Sequence, residues 1–169
     1  MKTPPSKHIL LAGFSGAGKS TALAELRRLL PVIPCLDLDA LVSDDVASFI
    51  QHQGWPAFRK RETEMLDKTL QQNNPVVLAL GGGALEQGWA VINQYPSAQV
   101  VHLDCPFEVC WGRIQTQPGL RPLAQQGEAK MRALFEERKV QYAHCRLKVD
   151  ATQSPEDVAL AILRHTGLA

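Results

Sequence analysis

Short, largely apolar runs punctuate the chain at 9–13, 32–36, 76–80, 99–103 and 147–149, and each is the length of a strand. Between them apolar positions recur at helical spacing over about 19–30, 40–52, 57–72, 86–94, 106–115, 128–143 and 155–166. Strands that do not alternate with polar residues are buried on both faces. Interleaved with helices, they predict an α/β fold of three layers, a parallel sheet between two layers of helices. In such sheets ligands gather at the carboxyl ends of the strands, so the residues after each run are where chemistry is sought. No internal repeat or low-complexity segment interrupts the pattern. The longest stretch without periodicity is 115–126, where Pro118-Gly119 and Arg121-Pro122 predict a loop.

The first run leads into Gly13-Phe-Ser-Gly-Ala-Gly-Lys-Ser-Thr21 and then into a helix. This is G-x-x-x-x-G-K-[ST] in the strand-loop-helix setting that a phosphate-binding loop requires. Gly13, Gly18, Lys19 and Ser20 hold the fixed positions, Gly16 is an additional glycine, and Ser15, Ala17 and Thr21 complete the loop. Polyphosphate must be surrounded by backbone N–H groups at the positive end of a helix, with no Cβ in the way. Lys19 then reaches the β and γ phosphates and Ser20 can ligate Mg²⁺.

After the second run stand Asp37 and Asp39, which project to one side if the extended geometry persists. One suits a metal and the other an acceptor; the plainer alternative is that one of them caps the next helix. After the third run Gly81-Gly82-Gly83 costs more backbone entropy than a turn needs, and its exposed N–H groups suit close approach by ligand oxygens. Asp104 after the fourth run reads either as a further metal partner or, preferably, as the lead into a helix with Pro106 in its first turn. Arg59, Arg61, Arg113, Arg121 and Arg138 offer planar forks for carboxylate or phosphate.

At 169 residues the chain predicts one domain. With 18 Lys plus Arg against 17 Asp plus Glu there is no global field to favour nucleic acid or an anionic membrane as partner. Four cysteines without a CxxC pair, and no apolar leader, predict free thiols in a reducing cytoplasm. No apolar run approaches the roughly 18 residues of a membrane span.

Taken in order, GFSGAGKST at 13–21, DLD at 37–39, FRKRE at 58–62, LALGGGA at 78–84, VVHL at 100–103, RPL at 121–123, and ER with a tyrosine four residues beyond the arginine at 137–142 resemble the shikimate kinases over almost the entire chain. The resemblance implies a five-stranded P-loop kinase fold and ATP-dependent phosphorylation of the 3-hydroxyl of shikimate with Mg²⁺. It further implies a monomer forming a single kinase domain over 1–169, with an acceptor-binding part at about 37–62 and a lid at about 115–126. Residue by residue, it implies that Asp39 binds the reacting hydroxyl, that Arg59 and Arg138 clamp the carboxylate and that Gly81, Gly82 and Gly83 present N–H groups. Lys19 would hold phosphate, Ser20 and Asp37 organise Mg²⁺, Arg121 close over the phosphates, and Arg113 and the segment before Pro155 lie near adenine. The alternative is a P-loop kinase for another small acceptor, such as a sugar acid or a nucleoside, for which a pair of arginines would have less purpose if the acceptor were neutral.

Overall fold

The structure, a computed structural model, describes residues 8–116 and 124–168. Five strands, β1 (His8–Ala12), β2 (Cys35–Asp37), β3 (Val77–Ala79), β4 (Ala98–Asp104) and β5 (Leu147–Asp150), form one parallel sheet in the order β2-β3-β1-β4-β5. The central strand β1 is buried at every position, as its unbroken apolar run requires. Around the sheet run α1 (Lys19–Leu29), α2 (Leu38–Val42), α3 (Val46–Gln53), α4 (Trp55–Leu70), α5 (Leu85–Ile92), α6 (Phe107–Thr116), α7 (Glu128–Tyr142) and α8 (Pro155–Thr166). A short 3₁₀ turn, Ala124–Gln126, precedes α7. Helices α1 and α8 pack on each other, as do α4 with α5 and α5 with α7, giving the layers that enclose a single apolar core.

Strand order decides where a ligand fits. The chain leaves β1 toward β2 and leaves β3 toward β4, although β1 and β3 are neighbours. The two exits therefore diverge, and a crevice opens between the loop after β1 and the turn after β3.

Two sequence expectations are corrected. The second strand is not 32–36 but Cys35–Asp37. Pro31 and Pro34 offer no N–H to a ladder, so Val32 lies exposed in the turn, and pairing begins where the Val77 N–H donates to the Pro34 carbonyl. The helix expected over 40–52 is two helices. Ser43 is extended, its hydroxyl bonds the backbone of Asp45, and the Asp45 carboxylate caps α3 by accepting from the Ser48 N–H at 3.0 Å. Ser and Asp side chains compete with the helix for backbone partners, and here they end one helix and start the next. Helix α3 has no fully buried residue.

Candidate active site

The loop after β1 wraps the start of α1. Gly16 and Gly18 have φ of +82° and +93°, which only glycine adopts without strain. A Cβ on Gly16 would also collide with the Cys110 carbonyl of α6. Gly18 is the N-cap of α1 and contributes no side chain, and the first turn carries no acidic residue. The helix thus offers uncapped N–H groups to an anion. Lys19 is buried and its ammonium donates to the carbonyls of Gly13 and Phe14. Arg113 on α6 braces the loop from behind, donating to the Gly16 carbonyl at 3.3 Å and the Ala151 carbonyl at 3.1 Å.

Opposite this loop is the turn Gly81-Gly82-Gly83, and each glycine has a charged side chain close against it. A Cβ on Gly81 would lie 2.8 Å from the Asp39 carboxylate and 3.0 Å from that of Glu62. On Gly82 it would lie 2.9 Å from Arg138 Nη1, and on Gly83 it would meet both the Arg59 and Arg138 guanidiniums. The triple glycine is therefore a surface bare enough for two carboxylates and two guanidiniums to converge on it.

These charges are held in different ways. Glu62 pairs with Arg59 at 2.7 Å and is almost wholly enclosed, its side chain 3% exposed. Its second oxygen, Oε2, has no hydrogen-bond partner among the described residues. Burial pushes the Glu62 carboxyl above its ordinary pKa, and the neighbouring Arg59 opposes that shift. Arg138, on α7, is lowered by burial and by the like charge of Arg59. Among the described residues it makes no ion pair, and its guanidinium rests over the Phe14 ring at 5.7 Å. Arg59 lies over Trp55 at 5.2 Å and over Phe58 at 5.5 Å. Two guanidiniums and two carboxylates thus meet in a partly dehydrated place, with Arg59 and Glu62 paired directly.

One cleft of about 600 Å³ joins both halves. It is lined by Ser15, Gly16, Ala17, Gly18, Lys19, Ser20 and Thr21, by Asp37 and Asp39, and by Arg59, Gly81, Gly82, Gly83, Arg113, Arg138 and Pro155. Gly13 lies beneath the loop as an acceptor for Lys19. Arg121 and positions 117–123 of the expected lid lie outside the described residues.

The two aspartates differ from the extended pair that their spacing predicts. Asp37 caps α2, accepting from the Asp39 N–H at 2.9 Å, so Asp39 sits in the first helical turn; both still line the cleft. Asp104 follows the plainer reading, facing Lys148 at 3.3 Å and not the cleft. Glu62 went without a role in the sequence reading, although its position three residues after Arg59 on one helix is the spacing of an ion pair. The apolar wall formed by Val46, Ile50, Trp55 and Phe58 also went unread, because apolar residues on helices look the same whether they face a core or a cleft.

A phosphate loop facing a charged glycine turn across the switch point of a parallel sheet defines a P-loop kinase for a small molecule. The family model for shikimate kinase matches residues 15–166. A shikimate kinase of Lactococcus lactis subsp. lactis is 36% identical over 167 residues, covering 95% of this chain and 98% of its own. The crystal structure of shikimate kinase from Aquifex aeolicus vf5 superposes with a TM-score of 0.77 at 32% identity, covering 95% of this chain and 98% of that one. Shikimate kinase from Acinetobacter baumannii in complex with shikimate superposes with a TM-score of 0.81 at 30% identity, covering 95% and 92%. The chain belongs to the shikimate kinase family.

Proposed function

We propose that this chain transfers the γ-phosphoryl group of ATP to the 3-hydroxyl of shikimate, giving shikimate 3-phosphate and ADP. The observation that carries the reading is Arg138, a partly buried guanidinium without an ion pair among the described residues, held beside Arg59 over a glycine turn. That arrangement calls for a carboxylate on the acceptor, and Arg binds carboxylate through a planar fork. Asp39 and the Gly81–Gly83 turn stand where the acceptor's hydroxyls and carboxylate lie once the two arginines hold it.

ATP fits the opposite half. The uncapped start of α1, with Lys19 beside it, receives the phosphates, and Arg113 and Pro155 border the space for the base. Ser20 and Asp37 are the residues that hold Mg²⁺. No group of three or more His, Cys, Asp or Glu that could bind a metal occurs among the described residues. This sparse donor set fits an ion that takes its remaining ligands from phosphate oxygens and water. When bound, Mg²⁺ neutralises charge on the β and γ phosphates.

The hydroxyl oxygen forms the new bond to phosphorus, the bridging oxygen leaves with ADP, and Asp39 receives or directs the hydroxyl proton. Phosphoryl transfer needs positioning and charge stabilisation more than covalent participation, and Lys19 and the loop N–H groups supply these. The enzyme works as a monomer of the cytoplasm, with residues 37–62 as its acceptor-binding part; four free cysteines support a reducing compartment.

The test is an ADP-release assay over a panel of hydroxy acids, neutral sugars and nucleosides that includes shikimate. Turnover of shikimate above all others is expected. Turnover of a neutral sugar without turnover of shikimate overturns the reading.

A further inference from the structure

Tyr142 ends α7, one helical turn beyond Arg138, and is buried. Its hydroxyl donates to the Gly82 carbonyl at 2.9 Å, a contact between residues 60 positions apart. Its ring lies flat on the imidazole of His102, with centroids 4.6 Å apart and planes inclined by 13°. His102 belongs to β4 and pairs in register with Ala12, the residue before the phosphate loop. The phenol is thus seated on the sheet and reaches out to the glycine turn.

The turn needs such a restraint. Three successive glycines have no side chains to limit their conformations, and among the described residues only the Ala84 N–H to Gly81 carbonyl bond closes the turn from within. In a trans peptide the carbonyl of one residue and the N–H of the next lie in one plane and point in opposite directions. Whatever fixes the Gly82 carbonyl therefore also aims the Gly83 N–H the other way. The Gly83 N–H makes no hydrogen bond among the described residues, and Gly83 lines the cleft. Burial raises the Tyr142 phenol well above its ordinary pKa, so it remains a donor throughout the working range of pH.

We propose that Tyr142 is a positioning residue for the acceptor: by holding the Gly82 carbonyl it fixes the Gly82–Gly83 peptide, so that the Gly83 N–H and the Arg138 guanidinium form a rigid set of donors. One helix then carries both the guanidinium and the tether that sets the turn beside it. This rests on the acceptor lying over the glycine turn, as proposed above.

Tyr142→Phe keeps the ring and its stack on His102 and removes the hydroxyl alone. Thr166→Val is the control, since Thr166 is likewise buried, bonds only backbone carbonyls, and sits at the far end of α8 from Pro155. Tyr142→Phe is expected to raise the acceptor KM about fivefold to tenfold, the effect of one lost hydrogen bond, with the KM for ATP unchanged. NMR amide relaxation at Gly82 and Gly83 is expected to report a mobile turn in Tyr142→Phe and a rigid one in Thr166→Val. An acceptor KM and a turn rigidity that match those of the control overturn the proposal, as does an equal rise in both KM values. The relaxation measurement needs no acceptor, so its result stands apart from the identity of the substrate.

Discussion

Asp39 sits in the first turn of α2 with its carboxylate against the glycine turn, where only the missing Cβ of Gly81 makes room for it. Asp39→Asn keeps the shape and removes the basicity. It is expected to lower kcat by at least about a hundredfold, the lower end of a general-base contribution, with the KM for ATP unchanged. Arg59→Ala removes a guanidinium proposed to hold the acceptor in ground and transition states alike, so a steady-state assay is expected to find mainly a raised acceptor KM. Glu62 then loses its partner at 2.7 Å and remains an enclosed carboxylate. Arg59→Ala is therefore also expected to lower the Tm, whereas Asp39→Asn is not. At this scale the sequence was most legible where one residue type has a single use: Lys19 and Ser20 after Gly18 leave little choice. It was least legible where a residue has two uses. Asp37 and Asp39 looked alike, and only the backbone tells that Asp37 caps the helix while Asp39 rides inside it.

Among the elements, the strands were readable because buried strands are apolar on both faces, and four of the five expected runs lie within a residue or two of where they form. The second run misled because Val32 and Ile33 favour strand while Pro31 and Pro34 beside them remove donors. The helix over 40–52 misled because its apolar spacing continues through Ser43-Asp44-Asp45, a cluster whose capping chemistry outweighs periodicity. That cluster makes a testable claim about α3. Removing an N-cap costs about 1 kcal/mol, and α3 has no core burial to offset it. Asp45→Ala is expected to raise the acceptor KM by about fivefold through loss of the Val46 and Ile50 wall. Thermal denaturation is expected to record little change, because the core of the sheet does not include α3.

For the whole molecule, acid is the revealing variable. His8, at the start of β1, and His102, in β4, are both held below the ordinary imidazole value of 6.5, chiefly by burial. His8 is also enclosed with its Nδ1 unpartnered among the described residues. A depressed folded pKa means that the native state favours the neutral ring. The stabilising contribution is complete above 6.5 and is lost as pH falls through the lowered folded values. Tm measured between about pH 8 and about pH 5 is expected to fall on the acid side, and His8→Val is expected to flatten that fall. Neither histidine announced itself in the sequence, since burial is a property of the assembled sheet. The sheet order was equally hidden, because alternating strands and helices fit several orders. Helix α3 forms a wall of the cleft yet buries nothing completely, so an acceptor seated there is expected to add to the packing of that helix. Calorimetry of acceptor binding is therefore expected to record a heat-capacity change larger than the surface of so small and polar a molecule accounts for.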